Sequence, residues 1–190
     1  MSQSFTTAAE GLERHRFSVS DIDRMVEAGV LDAEGRYELI DGEIVPMAAQ
    51  HTPHARMLSK LHLSLATQVD RKAFEVFLGA TVELSGFTRV DPDIYVARAG
   101  VATRIVRASD VLWAIEISDA TRRKDLKVKA PLYAAAAIQE YWVVDLEEGA
   151  THVHRGPSPS GWTTPILRVP FEGTIAPAQF PDLRLTLASL

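Results

Sequence analysis

The chain has no cysteine among its 190 residues. That excludes disulfides, thiolate zinc sites and cysteine nucleophiles, and it fits a reducing, cytoplasmic setting. No apolar run reaches the length of a membrane span. The first residues, MSQSFTTAAEGLERHRF, lack the basic start and apolar core of a secretory signal. Positive charge is also short: 20 Lys and Arg face 25 Asp and Glu, for a net charge of -5. A duplex-binding domain is usually basic at least locally. Strong non-specific DNA binding is therefore disfavoured, while a basic patch beside a small cleft is not. What remains is 46% hydrophobic, enough for a substantial core in one domain-sized chain.

Residues 1–16 read as a flexible lead, and 17–190 as one domain. Phe17 to Gly29 carries a helix start: Ser18 as N-cap, Asp21 as its capping-box partner, Phe17 and Ile22 as staple, and Gly29 as the terminating residue. RYELIDGEIVPM, residues 36–47, predicts a β-hairpin about Asp41-Gly42. Glu43 reads as a solvated face residue, whereas Glu38 stands near the start of the core. Thr52 to Val69 is helical in period, with Thr52 as cap and Pro53 in the first turn. On that helix His54 reads most simply as a surface or cap histidine, with an anion contact near the N-terminus as the functional alternative. Ala73 to Leu84 holds two short strands or one bent strand, residues 97–110 an exposed connection, and Trp162 to Val169 an edge strand.

Three stretches carry the chemistry. VDPDIYV places Asp93 before a short apolar strand; a turn-forming aspartate is the plainer reading of that residue alone. VLWAIEIS, residues 111–118, is almost wholly apolar and yet contains Glu116. A carboxylate on a strand buried on both faces must be paired, hydrogen-bonded or bound to a cation. TRRKDLKVK then supplies Lys124, Lys127 and Lys129 on a predicted helix from Arg122 to about Ala136, capped by Thr121, in which Pro131 predicts a kink or a displaced start. A solvated basic face is the bland reading of that run; its nearness to Glu116 favours a functional one. EYWVVD and GATHVHR complete a second hairpin.

Taken together, RYELIDGEIVPM, His54, VDPDIYV, VLWAIEIS, the TRRKD…K…LY segment and AIQEYWVVD resemble the Uma2 family, also called DUF820 and described as putative restriction endonucleases. The likeness spans about residues 17–185. It implies an α/β restriction-endonuclease-like core, a mixed β-sheet flanked by helices, as in PD-(D/E)xK nucleases. Asp93 matches the first acid of that pattern and Glu116 the second. The lysine usually stands two residues after the second acid, where this chain has Ser118; Lys129 on the following helix matches the family's displaced lysine. Glu38 matches an upstream acid, and Asp125 and Tyr133 match further family positions.

The resemblance implies an endonuclease acting on phosphodiester bonds of nucleic acid, DNA by preference. Asp93, Glu116, Lys129 and Glu38 would form its catalytic set. Asp93, Glu116 and Glu38 would hold Mg²⁺ or Mn²⁺, and Arg122, Arg123, Lys124 and His54 would meet the nucleic acid. A homodimer is the default for cutting two strands. Two rivals stand beside this reading. One is a non-catalytic nucleic-acid-binding or regulatory protein on the same scaffold; the other is an assembly protein whose polar cluster is a core ion-pair network.

Overall fold

A computed structural model describes residues 14–101 and 104–190. The expected flexible lead falls for the most part on residues 1–13, outside the described ones. Arg14 and Arg16 are already tied to the first hairpin, through Glu43 and Asp41 respectively. Gly42 makes that contact feasible. Its φ is +85°, and a Cβ there would sit 2.9 Å from the Arg16 Cα.

The main element is a six-stranded mixed sheet. Its order across the sheet is Leu167–Pro170, Ala150–Arg155, Glu140–Asp145, Val111–Ser118, Ile94–Arg98, Phe74–Leu78. The three strands expected at 91–96, 111–117 and 140–145 are central and adjacent. Val111–Ser118 and Glu140–Asp145 pair in parallel, with Ser118 opposite Asp145. A parallel pair needs a crossover, and the helical segment 122–135 provides it. All the other pairings in this sheet are antiparallel.

Both faces of this sheet are buried, which is why its central strands read as continuous apolar runs. One face carries Ile94, Val96, Ile115, Ile117 and Trp142 against Leu61 and Leu65 of the helix Thr52–Gln68. The opposite face carries Tyr95, Ala114 and Val143 against Tyr133 and Ala130. Side chains alternate along a strand, so Glu116, between Ile115 and Ile117, projects to this second face.

A smaller five-stranded sheet lies beside it, ordered Glu43–Pro46, Tyr37–Ile40, Thr88–Val90, Val82–Ser85, Val106–Arg107. The two strands expected in 73–84 thus belong to different sheets. Residues Asp91 to Asp93 carry the chain from one sheet to the other. The stretch expected as a bare connection at 97–110 also contains the short strand Val106–Arg107, parallel to Val82–Ser85.

The helix ends follow local chemistry in part. Val19–Glu27 has the complete capping box on Ser18 and Asp21, and Gly29 follows with φ +71°. Thr52 is not the cap of its helix. His51 holds that position one residue earlier, and Pro53 sits in the first turn. Thr121 holds the N-cap position of the crossover helix as expected but makes no side-chain cap bond; its hydroxyl donates to the Asp125 carboxylate. Pro131 neither ends nor displaces the crossover helix. The backbone widens at 125–129 into a π turn, in which the Ala130 N–H donates to the Asp125 carbonyl five residues back. Proline clashes with the carbonyl four residues before it in a regular helix, and the wider turn relieves that clash. The stretch expected as one edge strand at 162–169 divides into Gly161–Trp162, paired with Pro157–Ser158, and the edge strand Leu167–Pro170.

Candidate active site

The cleft lies where the two sheets meet the crossover helix. Asp91, Asp93, Glu116, Asp125, Lys124 and Lys129 are among its lining residues. Its lining contains five acids, counting Asp119, against Arg36, Lys124 and Lys129. That formal excess of negative charge attracts a cation before it attracts a phosphate.

Each acid arrives by a different route. Asp93 ends the DPD link between the sheets, and Pro92 holds that link extended. The Asp93 Oδ2 accepts from the Ile117 N–H at 2.7 Å and lies 3.0 Å from His54 Nε2. Its Oδ1 takes one longer bond, from Gln50 Nε2 at 3.3 Å. Glu116 is 4% exposed on the central strand. Its Oε1 accepts from Lys129 Nζ at 2.8 Å and from the Tyr133 hydroxyl at 2.9 Å. Both donors use the same oxygen, so the bonds found among the described residues leave Oε2 unengaged.

Glu38 comes from the smaller sheet and is also buried. It does not stand free beside the other two acids. Its Oε1 lies 2.7 Å from Lys129 Nζ and accepts from the Asp91 N–H at 3.3 Å; its Oε2 takes Lys124 Nζ at 3.1 Å. Lys129 therefore bridges the two sheets by joining Glu38 to Glu116. The π turn sets this up, because Asp125 and Lys129 are both buried on its inner side.

The electrostatics divide the acids. Burial raises the Glu38 pKa, but Lys129 and Lys124 outweigh it and hold the carboxyl below its usual value. Burial raises Glu116 well above the ordinary carboxylate range; Lys129 opposes this, while the Asp93 charge adds to it. Asp125 is raised in the same way, mainly by burial. For Lys129 burial works downward, but Glu116 and Glu38 prevail and the ammonium is held more strongly than in water. The cluster thus contains an ionised Glu38, a firmly protonated Lys129, and a Glu116 that retains a proton more readily than a free glutamate.

This arrangement fits a hard divalent cation at two of the three acids expected to hold one. Mg²⁺ typically takes one or two protein carboxylates and completes its shell with water and substrate oxygens. Glu116 Oε2 and Asp93 Oδ1 are the oxygens with capacity for it. Glu38 has both oxygens committed to lysines. Among the described residues, the one group of three or more His, Cys, Asp or Glu with ligand atoms close enough to share an ion lies elsewhere, at Asp145, Glu148 and His152.

The residues expected to meet nucleic acid differ in their surroundings. Arg123 is exposed at the start of the crossover helix. Arg122 spends its guanidinium on Asp145 and Glu148, and Lys124 pairs with Glu38. His54 is buried against Asp93, not on the surface, and it lines the cleft, where it orients that carboxylate. Sequence reasoning overlooked Gln50, a loop residue in no pattern. It also overlooked Asp145, an acid at the end of the apolar run EYWVVD, the same signal that marks Glu116.

The family model Uma2, described as "Putative restriction endonuclease", matches residues 20–188. None of the curated proteins matches. Among solved structures, a putative nuclease belonging to DUF820 from Anabaena variabilis superposes with a TM-score of 0.72 at 16% identity, covering 90% of this chain and 96% of that one. At that identity the likeness concerns the fold.

Proposed function

The chain belongs to the Uma2 family of putative restriction endonucleases, and we propose that it is a divalent-cation-dependent endonuclease that hydrolyses phosphodiester bonds of nucleic acid, DNA in the first instance. The observation that carries this reading is the buried Lys129 ammonium, 2.8 Å from Glu116, in a cleft also lined by Asp93. A bound Mg²⁺ or Mn²⁺ would supply Lewis acidity, neutralising phosphate charge and acidifying a water.

The remaining work falls to the protein. Asp93 and Glu116 would hold the cation. The Ile117 N–H and His54 fix the Asp93 rotamer, and Tyr133 and Lys129 fix that of Glu116. Lys129 acts as a fixed positive charge beside the reacting phosphate. It does not serve as a general base, since its neighbours hold its proton more tightly than water does. Glu38 keeps that charge in place and is a positioning residue. Arg123 supplies an exposed cation for the phosphate backbone, a contact that positions without specifying sequence.

The rival reading of a pure core ion-pair network accounts for Glu38, whose oxygens are saturated. It does not account for Asp93 and Glu116 lining an open cleft with oxygen capacity left over. The test is calorimetric titration of Mn²⁺ into wild type, Asp93→Asn, Glu116→Gln and Lys129→Met, paired with cleavage assays on duplex DNA, single strands and RNA. The acid variants are expected to lose Mn²⁺ affinity and cleavage; Lys129→Met is expected to keep the ion and lose cleavage. Unchanged Mn²⁺ affinity in both acid variants refutes the ligand assignment. A wild type that binds Mn²⁺ and cuts none of the substrates favours a non-catalytic nucleic-acid-binding role.

A further inference from the structure

One sheet strand away from Glu116 stands a second polar cluster that the cleft does not use. Asp145 ends the strand Glu140–Asp145, directly opposite Ser118, and so projects to the same face as Ser118 and Glu116. Glu148 lies in the following turn, where its N–H donates to Asp145 Oδ1 at 2.9 Å. His152 lies on the returning strand Ala150–Arg155. One ligand atom from each residue falls within 4.8 Å of the other two.

The spacing suits a small tetrahedral cation. His152 Nε2 lies 3.0 Å from Glu148 Oε2 and 3.8 Å from Asp145 Oδ2. Bonds of 2.0–2.2 Å in a tetrahedron place ligand atoms about 3.3–3.6 Å apart, between the two observed values. One imidazole and two carboxylates favour a borderline cation such as Zn²⁺ or Co²⁺ over Mg²⁺.

A second observation is independent of that spacing. Asp145 is completely buried, and its Oδ2 accepts no hydrogen bond among the described residues. Arg122 Nε lies 2.7 Å away, so charge attraction is present without an aligned N–H. A buried carboxylate oxygen without a directed partner is uncommon, and a cation would satisfy it. Arg122 also reaches Glu148 Oε2 at 2.6 Å, and Arg168 holds Glu148 Oε1. The two oxygens nearest Arg122 are therefore the two that an ion beside His152 would take. Both arginine side chains are about half exposed and can withdraw into water.

We propose that Asp145, Glu148 and His152 form a divalent transition-metal site, separate from the cleft and occupied in competition with the Arg122 guanidinium. Filling it frees Arg122, whose chain neighbour Thr121 already lines the cleft. The site stands whether or not the cleft cuts nucleic acid.

The experiment is calorimetric titration of Zn²⁺ into the full chain carrying Asp93→Asn and Glu116→Gln, so that the cleft acids do not contribute, with Co²⁺ absorption as a second readout of tetrahedral coordination. One ion per chain is expected. Adding Arg122→Gln removes the competitor and should tighten binding by roughly tenfold or more; His152→Ala should weaken it by at least that factor. His152→Gln and a thermal melt distinguish a lost ligand from a lost fold. Arg122→Gln leaving affinity unchanged overturns the competition. Folded His152 variants that bind as tightly as their parent overturn the site.

Discussion

Replacing Lys129 by Met tests the centre of the cluster through stability alone, without reference to any reaction. The substitution keeps the aliphatic stem and removes the ammonium that joins Glu38 to Glu116. Glu38 retains Lys124, so the uncompensated group is Glu116, left with Tyr133 as its remaining donor. Breaking a buried pair from one side costs about 3–5 kcal/mol. For a chain of this size that corresponds to a fall in Tm of roughly 6–20 °C. The loss depends on pH in a definite sense. Burial already raises the Glu116 pKa above its unfolded value, and removing the cation raises it further. A group with a raised folded pKa binds more protons folded than unfolded, so stability falls as pH rises above the unfolded value near 4.5. The gap between variant and wild type should thus be widest near pH 8. Toward pH 5, as Glu116 takes a proton, it should narrow to the cost of the lost hydrogen bonds, about 1.5–3 kcal/mol. Adding Glu116→Gln to Lys129→Met should flatten that dependence. Thermal unfolding followed by circular dichroism across pH 5–8 reads all three proteins. A gap that does not change with pH, or a Lys129→Met protein as stable as wild type, refutes the claim that Lys129 compensates a buried carboxylate.

Cation binding at the cleft should be linked to protons: Glu116 must give one up to serve as a ligand, so Mn²⁺ affinity should rise from pH 5.5 to 8, with proton release visible in buffers of different ionisation enthalpy. His154 is buried, and burial lowers its pKa to about 4 from 6.5. A histidine depressed in the folded state costs stability as pH falls from the unfolded to the folded value, here by up to about 3 kcal/mol, and His154→Leu should remove that part of the acid sensitivity in urea titrations. Gly42→Ala should cost more than about 1 kcal/mol, since it combines a positive φ with the Arg16 backbone at contact distance; a melt equal to wild type would refute the close approach. If the chain binds duplex DNA, Arg123→Ala should reduce the salt slope by about one unit, and Arg122→Ala by less because its guanidinium is already engaged.

Glu116 and the central strands were legible because a lone acid in VLWAIEIS has few physical explanations, all of them local to the strand. Ser18 was legible because a capping box is complete within four residues. Lys129 was not legible from its own segment: RRKDLKVK has the composition of a solvated face, and only the family likeness singled the residue out. Its burial depends on the π turn, which arises from a conflict between Pro131 and regular helix geometry that no periodicity rule anticipates. Glu38 was expected at a metal and is found between two lysines, because a sequence reports that an acid is buried without reporting which charge will meet it. His54 reads most simply as a surface or cap histidine, since a polar residue near a helix start usually is one; its contact with Asp93 spans elements that sequence spacing does not relate. The separation into two sheets was equally hidden, since short strands carry no label for the sheet they join.

The lysine bridge has a consequence for the order in which the chain folds. The Lys129–Glu116 bond closes only 13 residues of sequence, whereas Lys124–Glu38 closes 86. Loop closure costs more entropy as the intervening chain lengthens, and long-range contacts form late in folding. During synthesis the hairpin carrying Glu38 leaves the ribosome long before either lysine exists. It must wait with an uncompensated acid that has no favourable burial of its own. The docking of that hairpin is thus a checkpoint: the cleft can be assembled only by a chain translated and folded through the crossover helix. Hydrogen exchange on a refolding chain should find Val111–Ser118 and Glu140–Asp145 protected before Tyr37–Ile40.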